Sequence, residues 1–404
     1  MKFEIDTVKG FQDFLPPTSE KRKKIKEIVE KWFRLYGFSL VETPIVEFDN
    51  LMESETSEDE AVSDRFRLKD KGDRSLGLRY EFTFQLARIL KQNPNLKLPF
   101  KRYQIGEVFR DEPTSSSRFR QFTQCDADII GSSEINADAE CLALASDILK
   151  ELKIKDVRIE INNRTLLQEI IQSVQIENSK QVMKELDKID KLGLDTVKAN
   201  LRKYTSANQI ITLLKILEKD IKFFRQNQFK GVEELEKLME ACANYGAKIT
   251  FNPFLVRGLG YYTGNVFEIK SGKETLIAGG RYDDSVGRYL NRKIPAVGIS
   301  FGLERVTALA DIAPSQPTKA ILISINQDEE TISLAKALRK KEISCITFFG
   351  KTAQALEYAN SQKIPFAVFI GEEEVIEKKF KLKDMSSGEE KLLTEKQVVQ
   401  KLGK

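Results

Sequence analysis

Phe100-Lys-Arg-Tyr-Gln-Ile-Gly-Glu-Val-Phe109 is followed by Arg110-Asp-Glu112, a polar turn Pro113-Thr-Ser-Ser-Ser117, and Arg118-Phe-Arg-Gln-Phe-Thr-Gln-Cys-Asp-Ala-Asp-Ile-Ile130. Two runs of aromatic and branched residues on either side of a short Pro/Ser turn read as a β-hairpin. Residues two apart on a strand share a face, so the arginines beside the turn alternate toward one side. Three guanidiniums with Phe122 as a stacking plate suit a bent polyphosphate and a purine ring. Taken alone, the same hairpin is equally well a charged, solvated one. Phe66 to Leu68 and Ser75 to Arg79 also read as strands, and Phe84 to Lys91 as a helix. A run of strands with few helices between them predicts an α+β fold built on an antiparallel sheet.

Upstream, Ile25, Ile28, Val29, Trp32, Phe33 and Tyr36 recur at helical spacing between Thr18 and Tyr36, with lysines opposite. Gly37 then leads to Ser39-Leu-Val-Glu-Thr-Pro-Ile-Val-Glu47, a strand that Pro44 confines to a sheet edge or an interface. From about Asn162 to Tyr245 the chain turns Lys-, Leu- and Glu-rich with helical spacing, which predicts a helical insertion over 162–246. Strand signals resume at Lys248 to Phe251, Gly264 to Lys270, Thr275 to Ala278 and Pro295 to Ser300, so residues 1–161 and 247–313 read as two parts of one unit. After the linker Pro314 to Pro317, strands and helices alternate across 318–404, the pattern of a separate α/β domain.

The composition bounds the chemistry. The 404 residues are 41% hydrophobic and 31% charged, enough for two or three domains. Lys plus Arg total 65 against 61 Asp plus Glu, and a formal charge of +4 is no general nucleic-acid footprint. Cys125, Cys141, Cys242 and Cys345 form no CxxC pair, which excludes a zinc ribbon and reads as buried thiols in a reducing compartment. The chain contains no histidine, so Ser-His-Asp, Cys-His and HExxH chemistry is excluded at once. No stretch approaches the ~18 apolar residues of a membrane span. These features predict a cytoplasmic protein with no membrane partner.

Glycine-rich turns at Gly258-Leu-Gly260 and Ala278-Gly-Gly-Arg-Tyr-Asp283 match neither the dinucleotide fingerprint nor a phosphate loop. Gly298-Ile-Ser-Phe-Gly-Leu-Glu-Arg305 is more telling, since a small-residue strand entering a helix brings a further guanidinium close to a ligand. Arg110-x-Glu112 with Gly302-Leu-Glu-Arg305 resembles motifs two and three of class II aminoacyl-tRNA synthetases, and the first helix with the strand at Thr43-Pro44 resembles motif one, the dimer motif. Val8-Lys-Gly-Phe-Gln-Asp-Phe-Leu-Pro16, Leu78-Arg-Tyr-Glu-Phe-Thr83, Leu255-Val-Arg-Gly-Leu-Gly-Tyr-Tyr-Thr-Gly264 and Ala278-Gly-Gly-Arg-Tyr-Asp283 resemble the histidyl-tRNA synthetase family. The resemblance spans essentially the whole chain.

It implies a six-stranded antiparallel catalytic sheet, a helical insertion, and an anticodon-binding domain over 318–404. It also implies ATP as substrate with Mg2+ bridging its phosphates, histidine and tRNA(His) as partners, and a homodimer. Joining a carboxylate to an α-phosphate requires charge neutralisation and in-line positioning rather than a general base, so a chain without histidine is equipped for it. By resemblance, Arg110 and Arg257 hold the α-phosphate, Arg118 and Arg305 grip the far phosphate or flank the adenine, Glu112 binds near the base, and Phe122 stacks on it. Glu81, Thr83 and Gln124 receive the α-amino group. Asp128 and Tyr262 face the imidazole and Tyr261 lines the same pocket, with Arg257 also at the amino acid; no side chain is expected to ligate a metal. Gly260 stands where the family pattern has an aspartate, and Thr123 where a bulky aromatic or histidine is usual. Among relatives of this fold, a catalytically silent paralogue such as the regulatory subunit of ATP phosphoribosyltransferase stays open as the alternative.

Overall fold

The computed structural model of the protein describes residues 5–52, 64–115, 118–256, 261–315 and 318–403. The hairpin read from sequence is formed by β5 (Phe100–Phe109) and β6 (Gln121–Ile130), paired antiparallel from Phe100↔Ile130 to Phe109↔Gln121. It lies inside an eight-stranded sheet together with β1 (Ser39–Leu40), β7 (Val157–Asn163), β8 (Ile249–Phe251), β9 (Asn265–Ser271), β10 (Glu274–Arg281) and β11 (Ala296–Gly302), in the order β1-β5-β6-β11-β10-β9-β7-β8. All pairings from β5 across to β7 are antiparallel, as expected. The expected count of six is corrected by two short parallel edge strands, β1 on β5 and β8 on β7. The Ser39–Glu47 segment does not continue as one strand. It breaks around Pro44, which has no N–H for a ladder, and β2 (Val46–Phe48) joins β3 (Arg67–Lys69) and β4 (Ser75–Leu78) in a separate small sheet.

Strand β6 shows why the sheet can carry both a core and a site. Cys125, Ala127 and Ile129 point into the main hydrophobic cluster, against Ile25, Val29 and Phe33 of the Thr18–Leu35 helix and Cys141, Leu142 and Ile148 of the Ile135–Glu151 helix. Period two then sends Phe122, Gln124, Asp126 and Asp128 to the opposite face. The helical stripe also buries Arg22, whose guanidinium meets Glu304 Oε1 at 2.9 Å and donates to Thr123 Oγ1 at 3.1 Å. Glu304 in turn accepts from the Thr123 backbone N–H, so the first helix, β6 and the Leu303–Leu309 helix are tied at one point.

Between β7 and β8 the chain is helical, from Arg164–Ser173 through Val232–Asn244, and its apolar residues share the cluster beneath the sheet. Asn163 begins this stretch by accepting from the N–H groups of Thr165 and Leu166. The chain divides into two compact units, 1–313 and 314–404. The second holds its own five-stranded sheet, in which Ala320–Ser324 pairs in parallel with Cys345–Phe349 and Phe366–Ile370 before two antiparallel strands complete it. A hairpin partner at Glu390–Thr394 and a last helix at Glu395–Leu402 were not legible from the sequence. All four cysteines are buried and free. Among the described residues no helix is long and apolar enough to cross a membrane.

Candidate active site

The strand register sets the floor of the site. Arg102, Asp128, Gly298 and Gly280 form one row across β5, β6, β11 and β10, and Gln104, Asp126, Ser300 and Ala278 form the next. On β11 and β10 every residue of these rows is small, so a bound molecule approaches the strand backbone closely. Above them opens a cavity of about 610 Å³. Glu81, Thr83, Arg110, Glu112, Arg118, Phe122, Gln124, Asp128, Tyr261, Tyr262 and Arg305 all line it. Arg257 and Gly260 lie outside the described residues, as do Ser116 and Ser117 of the hairpin turn.

Guanidiniums gather at the Phe122 end. Arg110 donates from Nε to the Tyr80 carbonyl at 3.1 Å and stands over the Phe122 ring, 5.1 Å from its centroid. Arg118 pairs with Glu112 at 3.2 Å. Arg305 donates to the Thr275 carbonyl at 2.9 Å. Burial pushes the Arg305 pKa down; the Arg118 and Arg110 charges add to this, while Glu274 and Glu112 oppose it. Three cations close enough to repel one another, two of them held by backbone carbonyls, form a receptor for a polyanion, with an aromatic face beside it.

Carboxyl groups gather at the other end. Glu81 is buried and accepts from the Phe84 N–H at 2.9 Å, which fixes its orientation at the start of the Phe84–Gln92 helix. Burial raises its pKa, opposed by hydrogen bonds from Thr83 and Phe84 and by the Arg110 charge. Asp128, expected against an imidazole, lines the cavity and is held there by two partners. Arg102 Nη2 sits 2.6 Å from its Oδ2, with Arg102 fully buried, and the Tyr282 hydroxyl donates to its Oδ1. A β-carbon at Gly298 would stand 2.0 Å from that same Oδ1, which is why glycine occupies the position. Tyr261, Tyr262 and Tyr282 pack as a wall, the Tyr261 ring centroid lying 4.8 Å from that of Tyr262 and 5.7 Å from that of Tyr282.

Sequence reasoning missed Asp126, Arg102, Tyr282 and Ser300. The first was within reach, because Gln124 and Asp128 on one strand imply that Asp126 shares their face. The Gly-Gly-Arg-Tyr-Asp string proves to be a scaffold around the site. A β-carbon at Gly279 would meet the Gly298 carbonyl at 2.2 Å, Arg281 is buried against Asp138, and Asp283 accepts from the Ala296 N–H at 3.0 Å. The helical stretch also reaches the cavity, where Asp190 meets Lys270 of β9 at 2.6 Å.

Residues 10–306 match the family described as histidyl-tRNA synthetase, and residues 319–404 match an anticodon binding domain. The chain belongs to the histidyl-tRNA synthetase family. It is 38% identical to a histidine–tRNA ligase 1 of Bacillus cereus, over 96% of this chain and 97% of that one. The histidyl-tRNA synthetase of Nostoc sp. PCC 7120 superposes with a TM-score of 0.85 at 28% identity, covering 99% of both chains. An ATP phosphoribosyltransferase regulatory subunit/histidyl-tRNA synthetase from Bacillus halodurans C is similar in fold, with a TM-score of 0.75 at 22% identity over 89% of this chain and 97% of that one. The cavity has two chemically distinct ends, one lined by guanidiniums and Phe122 and the other by carboxyl groups and tyrosines.

Proposed function

We propose that the chain is a histidine–tRNA ligase. The observation that carries this is the single cavity in which Arg110, Arg118 and Arg305 surround Phe122 at one end and Glu81, Asp126 and Asp128 gather at the other. Along β6, Asp128 lies six positions beyond Phe122, roughly 20 Å of strand, enough to seat an adenine and an amino acid with the phosphates between. A carboxylate oxygen of histidine attacks the α-phosphorus of ATP, the bond to the bridging oxygen breaks, and pyrophosphate leaves. The 3′-terminal hydroxyl of tRNA(His) then attacks the carbonyl carbon of the adenylate, and AMP departs.

Arg110, and Arg257 from the Arg-Gly-Leu-Gly-Tyr-Tyr-Thr-Gly string, neutralise the α-phosphate as charge moves onto it. Arg118 and Arg305 hold the distal phosphates, Glu112 lies near the base, and Phe122 stacks on it. Glu81, Thr83 and Gln124 receive the α-ammonium group, Asp128 and Tyr262 face the imidazole, and Tyr261 lines the same pocket. Mg2+ would enter the site with the polyphosphate, whose charge it balances.

Residues 164–246 act as the helical insertion within a catalytic unit formed by 1–163 and 247–313, the boundary expected at 162 shifting because Asn162 and Asn163 complete β7. The unit from 318 onward takes the anticodon; its 15 basic against 13 acidic residues call for local contacts rather than a broad charged face. The enzyme works in the cytoplasm as a homodimer, for which the exposed Leu40, Ile45, Val46 and Phe48 beside the first helix supply apolar surface. The regulatory-subunit alternative is disfavoured by the retained arginines and by the presence of the second unit.

Incubation of the protein with ATP, magnesium, labelled histidine and tRNA(His) is expected to yield an alkali-labile histidyl ester at the tRNA 3′ end. No ester with that tRNA would overturn the reading. Gly298→Ala is expected to raise the KM for histidine roughly tenfold by overpacking against the pinned Asp128, while the KM for ATP changes by less than a factor of about two. Equal changes in both constants would mean that the glycine serves the sheet and not the amino-acid end.

A further inference from the structure

We propose that Arg22, on the Thr18–Leu35 helix, is a positioning residue for the nucleotide end of the cavity and acts through Glu304. The inference deepens, and rests on, the reading of that end as the ATP site of a histidine ligase. Glu304 and Arg305 both line the cavity, and Arg22 is not part of its wall. Phe122 and Arg305, the residues given to the base and the phosphates, each adjoin in sequence a residue that Arg22 holds, Thr123 and Glu304.

The need for such a clamp follows from the sheet. The β6–β11 ladder ends at Gly302↔Gln124, where the chain leaves β11 for the Leu303–Leu309 helix. Thr123, the next residue of β6 toward the hairpin turn, still pairs with Glu107 of β5 but has no strand on its other side. A backbone N–H at the end of a ladder is left unpaired unless another group takes it. Both oxygens of the Glu304 carboxylate take this one, at 3.1 and 3.2 Å. One side chain thus stands in for the missing strand, and the position of Arg305 relative to Phe122 depends on where that carboxylate sits.

Arg22 holds the carboxylate in place. A single nitrogen, Nη2, stands 2.9 Å from Glu304 Oε1 and donates to Thr123 Oγ1 at 3.1 Å, so the guanidinium grips the helix and the strand at once. The Arg22 and Glu304 side chains are 10% and 11% exposed, and among the described residues this is the one ion pair that Glu304 makes. Phe14, in the segment before the first helix, closes the other side, its ring centroid 3.8 Å from the guanidinium carbon. Without Arg22 the carboxylate is a nearly buried charge with no counter-charge, and its way back to water is the cavity it already lines. Turning that way, it releases the Thr123 N–H and sets a negative charge where the polyphosphate binds. The amino-acid end is anchored independently, Glu81 by the Phe84 N–H, Gln124 by the Ser300 hydroxyl and Asp128 by Arg102.

The test reads the KM for ATP and for histidine in pyrophosphate exchange, together with the thermal midpoint, for wild type, Arg22→Lys and Arg22→Met. Lysine keeps a point charge for Glu304 but offers no second fixed donor to Thr123, and methionine keeps an apolar stem without charge. Expected is a graded rise in the ATP KM, about three- to fivefold for Arg22→Lys and at least about tenfold for Arg22→Met, with the histidine KM within about twofold and kcat within about threefold of wild type. An ion pair that only stabilises the fold would lower the thermal midpoint and leave both constants unchanged. An ATP KM within about twofold of wild type in either variant, or equal rises in both constants, would overturn the assignment. Arg22→Lys keeps the buried carboxylate paired, so it decides even if Arg22→Met does not fold. A wild-type protein with no histidine-dependent exchange would instead overturn the functional reading, and the inference with it.

Discussion

Arg110→Ala is expected to lose roughly a thousandfold in kcat/KM for histidine-dependent ATP–pyrophosphate exchange. The guanidinium is fixed before any substrate arrives, by the Tyr80 carbonyl at 3.1 Å on one side and the Phe122 ring on the other. Its charge therefore requires little reorganisation when negative charge builds on the α-phosphate, which is where preorganised electrostatics contribute most. Arg110→Lys is expected to recover less than about tenfold of the loss, because an ammonium cannot offer two parallel N–H donors to phosphate oxygens and does not stack in the same way. The thermal midpoint should stay close to wild type, since the side chain makes one backbone hydrogen bond and is only partly buried. A loss below about tenfold in exchange would remove Arg110 from the reacting centre.

Asp138→Ala is expected to destabilise the first unit by about 3–5 kcal/mol, because it leaves the buried Arg281 guanidinium with only the more distant Asp283, at 3.5 Å, as counter-charge. The two side chains are 0% and 4% exposed for Asp138 and Arg281 respectively. Arg281 also donates to the Ser132 carbonyl at 2.9 Å, and Asp138 accepts from Asn265 at 3.2 Å, whose own oxygen accepts from Asn163 at 3.0 Å. The cluster thus joins β10, β9, β7 and the Ile135–Glu151 helix behind the tyrosine wall. Replacing both partners with apolar side chains, Asp138→Leu with Arg281→Met, should recover much of the loss, since the one carboxylate left without Arg281, Asp283, is part-exposed. The shift of the urea midpoint measures it. A loss below about 1 kcal/mol for the single variant would show that water reaches Arg281.

The fold was legible where local chemistry and tertiary pairing agree. The hairpin of β5 and β6 was readable because its turn, its branched residues and its alternation point the same way. The helix at Thr18–Leu35 falls where the spacing of its apolar residues placed it. Strands β1 and β8 lie within segments read as strands, but their parallel pairing at the two edges of the sheet was not legible, because two or three residues carry no period and their pairing depends on what the rest of the sheet leaves open. In the site, resemblance named the residues that line the cavity but not how they pair. Asp128 and Arg102 are 26 positions apart in the sequence and meet only through the β5–β6 register, Arg102↔Asp128. Burial and the identity of a cross-strand partner decide how such a side chain is held, and neither can be read from a motif.

The account stands most directly on ATP–pyrophosphate exchange measured with each of the twenty amino acids, with Arg257→Ala run beside the wild type. The predicted result is exchange with histidine alone, lost in the variant. Absence of exchange with every amino acid, in a protein that still binds histidine, would contradict it and move the chain to the catalytically silent relatives that share its fold.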